Sequence, residues 1–353
     1  MDFSLSEELS MVRDMAREFV TNELLPIERE VLVRAKGGMR GASIPREKYA
    51  ALTKKAVDQG LWAMTVPEAL GGGGLSALGA CLVAEELGKT FVDFDFGDIP
   101  PILFDANSEQ REKYLKPAIA GEIKVALALR GTGSEDLSMR ATRNGDKWLL
   151  NGTKLVDDAD IYLVFGQTDR GVTCFIVEGL VTQDGKLKLE NTRVPASNVL
   201  GEVGGALALG KKYRYARMVR AAARKVGIAA RLLEMSAQYA RDWKTLGQPL
   251  AVRPAVQHNL ADLAIEIDAA RWLVYHAASE IDEGKGAREP APRAYLFASE
   301  MVERAIDRTI EIYGGPAHAA DLPILRIYGT KLNASKRILE LQQLQIANDL
   351  VTA

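Results

Sequence analysis

Residues 125–205 carry a different hydrophobic period from everything on either side, and no other feature constrains the fold as much. Within them, 162–165 and 172–177 are β-branched and aromatic, while Lys186-Leu187-Lys188-Leu189-Glu190 alternates polar and apolar as a half-exposed strand does. Trp148-Leu149-Leu150 and Lys154-Leu155-Val156 flank Asn151-Gly152, which predicts a tight β-hairpin turning at that pair. From 206 onward the helical period returns in four long segments, 207–243, 256–283, 294–313 and 332–351. They are broken at Gly247-Gln248-Pro249, at 284–292 and at Gly314-Gly315-Pro316, and short breaks between long helices predict an antiparallel four-helix bundle. The predicted class is α+β, mainly α: an N-terminal helical domain (1–122), a small central β-barrel (123–206) and a C-terminal helical bundle (207–353).

The first third reads as helices. Residues 4–25 carry an apolar stripe of Leu5, Leu9, Val12, Ala16 and Phe19, with Ser4 and Glu7 as a capping box and Pro26 as the stop. Residues 30–43 hold three glycines and predict a loop. A second helix is expected between Pro45 and Gly60, with Tyr49, Leu52, Ala56 and Val57 inward. Four glycines at 71–74 cannot hold a helix and mark a turn with close backbone approaches. Ser76 caps a helix over 77–89, with Leu78, Cys81, Leu82 and Leu87 as core, and Asn107 opens a short helix closed by Pro117 and Gly121.

Composition excludes several classes of function. The 353 residues carry a formal net charge of −2, so no global field favours nucleic acid or an anionic membrane. No run of about 18 apolar residues occurs and the N-terminus is acidic, so neither a membrane span nor a signal peptide is expected. Cys81 and Cys174 are the only cysteines, which fits a reducing, cytoplasmic setting. His258, His276 and His318 lack metal-ligand spacing, so no metal site is expected.

One stretch invites a ligand. The apolar run 125–129 leads through Arg130 into Gly131-Thr132-Gly133-Ser134, residues whose backbone N–H groups can approach an oxygen-rich ligand closely. A plain glycine-rich turn explains the same string, and Glu135 and Asp136 follow where a phosphate cradle is normally neutral or basic.

With its strings in this order, the chain resembles the acyl-CoA dehydrogenase family. Pro67-Glu68-Ala69-Leu70-Gly71-Gly72 is similar to that family's Pro-Glu-x-x-Gly-Gly. Gln110-Arg111-Glu112-Lys113-Tyr114-Leu115-Lys116-Pro117 is similar to its Gln-Lys-x-x-Tyr-Leu-x-Pro, and 145–154 to its Gly-x-x-(Trp/Tyr)-x-Leu-Asn-Gly-x-Lys segment. Arg217, Ala221-Ala222, Tyr239-Ala240, Gly247, Leu260-Ala261-Asp262, Ala269-Ala270-Arg271 and Gly314-Gly315 then fall in family order, so the likeness spans nearly the whole chain. It implies FAD between the β-domain and the bundle, with part of the tail held by a neighbouring subunit. It also implies a glutamate that takes a proton from the acyl α-carbon while hydride leaves the β-carbon for the flavin. Gly131, Thr132, Gly133, Ser134, Gly314 and Gly315 become candidate cofactor contacts, and Arg217 a candidate substrate-pocket residue.

The departures are as informative. Where the family pattern reads Thr-Glu-Pro before its glycines, this chain has Ala128, Leu129 and Arg130. The loop after the Asn-Gly-x-Lys segment is short and acidic (Asp157, Asp158, Asp160) and lacks the expected aromatic and hydroxyl residues. In the pattern that offers arginine, phenylalanine and glutamine to a neighbour's dinucleotide stand Trp243, Leu246 and Pro254, with Arg241 and Arg253 as possible substitutes at shifted positions. The usual base position holds Lys336 or Ile338, depending on the anchor used for alignment, and the alternative position beside Arg217 holds Ala216.

No catalytic residue is therefore assigned, and activity of the chain alone is left open. The implied family reaction is α,β-desaturation of an acyl-CoA thioester, with this chain as a degenerate subunit of a hetero-oligomer containing a full-motif relative. A homo-oligomer stays open, as do a self-sufficient dehydrogenase with a relocated base and a flavin-dependent oxidoreductase or oxygenase of the same fold. The ligand is acyl-CoA or an acyl carrier. Glu340, the nearest acid to the lost base, reads as an exposed helix residue with Ile338, Leu341 and Leu344 inward. Trp243 and Trp272 read as core or interface aromatics and His318 as a turn residue. The basic run Lys211, Lys212, Arg214, Arg217, Arg220, Arg224, Lys225 reads either as a solvated face or as a surface for phosphates or an acidic partner.

Overall fold

In the computed structural model, residues 4–34, 44–131, 139–319, 321–324, 327 and 336–352 are described. The chain is mainly helical and falls into two compact units. One gathers Met1–Tyr49, Ser76–Asp95 and Tyr215–Ala353, and the other Ala50–Leu75 and Phe96–Arg214.

The helical unit begins with α1 (Glu7–Phe19), a π-helical turn (Val20–Leu24) and α2 (Leu25–Arg34). The cap of α1 is Ser6, whose hydroxyl accepts from the Leu9 N–H at 3.2 Å, rather than Ser4. Pro26 does not stop the helix. It occupies the second position of α2, just beyond the π turn, where a missing N–H is tolerated. The helix α3 (Arg46–Asp58) starts in this unit and from Ala50 belongs to the other, with Leu52 and Ala56 buried but Val57 exposed. Ser76 caps α4 (Ala77–Gly88) as expected, accepting from Gly79 N–H at 3.1 Å.

Two short turns, α5 (Ser108–Gln110) and α6 (Lys116–Ile119), belong to the sheet unit, where Asn107 and Gln110 form a complete capping box. After the sheet come α7 (Ala206–Lys212), α8 (Arg214–Asp242), α9 (Pro254–Asp282), α10 (Pro290–Tyr313) and α11 (Lys336–Thr352). The core of the helical unit is rich in alanine, which lets helix backbones approach closely. Helices α4 and α8 approach closely at two glycines: a Cβ added to Gly227 would collide with the carbonyl of Glu85, and one on Gly88 with that of Arg224. Alongside, the nearly buried Glu85 accepts from Arg271 Nε (3.0 Å) and Tyr275 Oη (3.2 Å), tying α4 to α9. On α11, Leu341 and Leu344 are exposed and Gln342 is buried, so the inward face differs from the one expected. The cause is polar anchoring, because Asp349 accepts from Arg288 at 2.9 Å and Gln345 donates to the Arg288 carbonyl at 3.3 Å.

The sheet unit holds β1 (Val125–Ala128), β2 (Arg130–Gly131), β3 (Arg140–Asn144), β4 (Lys147–Leu155), β5 (Ile161–Thr168), β6 (Gly171–Glu178), β7 (Lys186–Pro195) and β8 (Val199–Leu200). They form one eight-stranded sheet, ordered β2-β4-β3-β5-β6-β8, with β1 parallel on β5 and β7 antiparallel on β4. Asn151-Gly152 is not a turn. The hairpin turns at Gly145-Asp146, where Asn144 pairs with Lys147, and β4 runs straight through Asn151. The Asn-Gly signal marks a register shift instead: Asn151 Oδ1 accepts from the Asn191 N–H at 2.8 Å, and Asn191 takes φ +47°. Inward residues of β3–β7 enclose Trp148, Leu150, Tyr162, Val164 and Phe175, while helical turns between Ile99 and Ala118 cover Leu163, Phe165, Cys174 and Ile176. Among the described residues, no helix is long and apolar enough to cross a membrane.

Candidate functional site

In the sheet unit the candidate loop leaves from a change of partner. Strand β1 lies on β5 up to Ala128, and Leu129 then kinks, its N–H reaching back to the Leu127 carbonyl at 3.2 Å. Strand β2 continues on a different neighbour, with Arg130 opposite Leu155 and Gly131 opposite Lys154. Gly131 thus ends a paired strand, and Thr132, Gly133 and Ser134 lie outside the described residues. Ala128 is fully buried in the sheet interior with Tyr162 and Val164, so its methyl is core packing.

Beneath this crossover lies the lysine that closes the 145–154 motif, a residue with no role assigned from the sequence. Lys154 is 0 % exposed, and its Nζ donates to the carbonyl of Leu129 at 3.1 Å. It faces inward because β4 alternates: Trp148, Leu150 and Lys154 share the buried face.

The acidic loop after β4 is held by its own contacts. The Asp158 carboxylate accepts from Tyr162 Oη at 3.2 Å, Tyr162 in turn accepts from the Ala159 N–H at 3.0 Å, and Asp160 accepts from the Lys124 N–H at 2.8 Å. Burial pushes the Tyr162 hydroxyl up to about 12, so it stays protonated and acts as a donor.

In the helical unit, Ala216 and Arg217 lie in the first turn of α8, both exposed. One of the two base positions that the resemblance implies is thus a methyl group at the surface of this unit. Lys336 opens α11 and Ile338 lies in its first turn, while Glu340 is exposed as expected. The basic run divides: Lys211, Lys212 and Arg214 belong to the sheet unit, where Lys212 pairs with Asp105 at 2.8 Å, and the remainder to α8 in the helical unit. Lys225 lies over the Tyr295 ring, 4.3 Å from its centroid, and burial lowers its ammonium to about 8.

At the far end of α8 three aromatic rings stack. Tyr239 lies on Tyr313 with centroids 4.1 Å apart and planes 16° apart, and on Trp243 at 5.5 Å and 12°. Tyr313 Oη donates to the Met235 carbonyl at 3.1 Å. The rings border an open groove of about 780 Å³ that also takes in Arg231 and Glu234. Gly314, next after Tyr313, has φ +62° and ψ −136°, backbone that only glycine adopts easily, and Gly315 starts a 3₁₀ turn ending at His318. A Cβ at either glycine would meet no atom within 4 Å, so this backbone is open. Arg241 donates to Gln238 at 2.6 Å and Arg253 to the Thr245 carbonyl at 3.0 Å. Both shifted arginines are thus engaged locally. The stack joins residues 74 apart in sequence, which no local spacing signals.

The backbone at Gly314–Gly315 is open to close approach, as contact with a dinucleotide requires. Trp243, ring on ring with Tyr239, supplies no cation for a phosphate. Among the described residues, no cluster of three metal-ligating side chains occurs.

Comparison with known proteins agrees with this architecture. The model of the acyl-CoA dehydrogenase N-terminal domain matches residues 6–122, and that of the C-terminal domain matches 204–332. The chain is 31% identical to (R)-benzylsuccinyl-CoA dehydrogenase of Thauera aromatica, over 100% of this chain and 97% of that one. It is 30% identical to the caffeyl-CoA reductase-Etf complex subunit CarC of Acetobacterium woodii, over 92% of each. Among solved structures, butyryl-CoA dehydrogenase from Megasphaera elsdenii superposes with a TM-score of 0.83 at 25% identity, covering 99% of this chain and 100% of the other.

Proposed function

We propose that this chain, which belongs to the acyl-CoA dehydrogenase family, works as the degenerate subunit of a mixed dehydrogenase assembly. The observation that carries the reading is Ala216: where a carboxylate would stand beside Arg217, α8 presents an exposed methyl group. Lys336 and Ile338 at the other base position supply no acid either. A general base typically contributes about 100- to 10,000-fold, so a chain lacking one leaves α-proton abstraction to a partner.

FAD is the cofactor of the family and, when bound, accepts the hydride of α,β-desaturation. For this chain, Gly131, Thr132, Gly133 and Ser134 in one unit and Gly314 and Gly315 in the other are the proposed contacts. Arg217 is proposed to face the acyl thioester or acyl carrier. The stacked Trp243 offers no cation to a neighbour's dinucleotide, which is what a subunit relieved of that duty would show. That CarC is by its name a subunit of a larger complex supports an assembly of more than one chain type. The proposed setting is the cytoplasm.

A second reading, a self-sufficient dehydrogenase with a relocated base, has support from a relative of similar identity whose name is that of a dehydrogenase and mentions no complex. The flavin oxygenase reading has no observation of its own. Expression with and without a full-motif relative separates the first two. The degenerate-subunit reading expects a stable mixed oligomer and acyl-CoA oxidation only from that oligomer. Turnover by the isolated chain at rates typical of the family would overturn it.

A further inference from the structure

Arg231, in the second half of α8, is part-buried and carries a charge that the protein does not answer. Its Nε is withdrawn from solvent without a hydrogen bond, and among the described residues no carboxylate lies within ion-pair distance of the guanidinium. Arg271, Arg304 and Arg308 on the neighbouring helices each reach a carboxylate at 2.8–3.0 Å. A buried N–H left unbonded costs about 1–3 kcal/mol, and a methionine at Arg231 would fill the space without that cost.

The guanidinium lines the open groove of about 780 Å³ on α8 beside Tyr313, a volume that suits a small molecule. Burial raises the pKa of the Tyr313 hydroxyl and the Arg231 charge opposes that shift, so the guanidinium lies near this ring. Met235, Tyr239 and Trp243 give the groove an apolar lining. Its other polar side chains are mostly occupied. Arg241 donates to Gln238 at 2.6 Å, Gln238 donates to Asp242 at 2.7 Å, and Tyr313 Oη donates to the Met235 carbonyl. Glu234 is exposed. Among the described lining residues, Arg231 alone keeps a buried donor unused.

We infer that this groove binds a small organic oxyanion, whose carboxylate or phosphate accepts from the Arg231 guanidinium while its apolar or aromatic body lies against Met235 and Tyr239. Trp243 stands about 18 Å further along the helix axis, so Arg231 is not a displaced copy of the arginine missing there. The site needs neither flavin nor a partner chain, which sets it apart from the degenerate-subunit reading.

The test is calorimetric titration of the full chain with 3-phenylpropionate and with AMP, and with inorganic phosphate as an anion that has no apolar body. At least one organic probe should bind saturably, at one site per chain. Binding of 3-phenylpropionate identifies an aryl carboxylate as the ligand class, and binding of AMP a nucleotide. Inorganic phosphate should bind at least about tenfold more weakly, because it buries no apolar surface. In Arg231→Met the affinity should fall about tenfold or more, the scale of a charge-assisted hydrogen bond, and in Arg231→Lys by less. The thermal midpoint of ligand-free Arg231→Met should hold or rise, since an unbonded buried N–H is removed.

Absence of saturable binding by both organic probes overturns the inference, and so does inorganic phosphate binding as tightly as they do. Affinity unchanged in Arg231→Met overturns it too: AMP held in that way sits on the Gly314–Gly315 backbone and supports the dinucleotide reading alone. A lower midpoint in ligand-free Arg231→Met makes the residue structural. Loss of mixed assembly with anion binding intact gives the guanidinium to a protein interface, and either result removes the site.

Discussion

Tyr239 and Tyr313, 74 residues apart, lie ring on ring with centroids 4.1 Å apart, and Trp243 also stacks on Tyr239. This contact joins the end of α8 to the end of α10 and places an aromatic face beside the open backbone of Gly314. Replacing Tyr239 by Leu removes both ring contacts. Each is worth about 0.5–1.5 kcal/mol beyond area burial, so urea unfolding should register a loss of about 1–3 kcal/mol. Trp243 should also become more accessible to acrylamide quenching. Unaltered quenching would show that the ring is held by something else.

Gly227 tests the closeness of α4 and α8. Its backbone is ordinary helix, so a side chain here brings no conformational strain and the cost is purely steric. Gly227→Ala drives a methyl into the Glu85 carbonyl and should destabilise by about 3 kcal/mol or more, above the usual overpacking cost because backbone must move. Gly210→Ala, where no atom lies within 4 Å of the new methyl, is the control and should be near neutral or slightly stabilising.

Lys225 carries a pH dependence whose sign is fixed by its environment. Burial lowers the folded-state value to about 8 from an ordinary 10.5, so between those values the unfolded chain binds the additional proton. Stability should therefore rise as pH climbs from about 8 towards 10.5, while the penalty for the buried charge is fully present below 8. Lys225→Met should flatten this rise. At pH 7 it should be more stable than wild type by up to about 3 kcal/mol, less whatever its contact with Tyr295 contributes. A steeper rise in the variant would refute the assignment.

Arg217 is the remaining candidate for ligand contact on α8. Arg217→Ala should weaken acyl-CoA binding by the assembly by about tenfold or more, the scale of a charge-assisted hydrogen bond, with little change in thermal midpoint for a residue this exposed. Calorimetric titration with an acyl-CoA measures it. If neither binding nor assembly responds, Arg217 has no role in the site.

Much of the fold was legible because local chemistry and tertiary context agree. Ser76 and Asn107 cap the helices they precede, and Lys186–Glu190 alternates along β7 as its burial does. Where they disagree, tertiary contacts prevail. Asn151-Gly152 carries turn chemistry, yet Asn191 on β7 satisfies Asn151 and keeps β4 straight. Pro26 marks a helix stop, but the π turn before it lets the helix run on. Leu341 and Leu344 look like an inward stripe until Arg288 anchors the polar side of α11. The site was legible mainly through absences, at Ala216, Trp243 and Ala128. Its positive features, the Tyr239–Tyr313 stack and the buried Lys154, depend on contacts between distant segments that no local pattern encodes.

The degenerate-subunit account is tested most directly by the visible spectrum of the chain purified alone and after co-expression with a full-motif relative. The account predicts a colourless isolated chain, and a mixed oligomer with flavin absorbance that an acyl-CoA bleaches. Stoichiometric flavin on the isolated chain, bleached by an acyl-CoA without any partner, would contradict it.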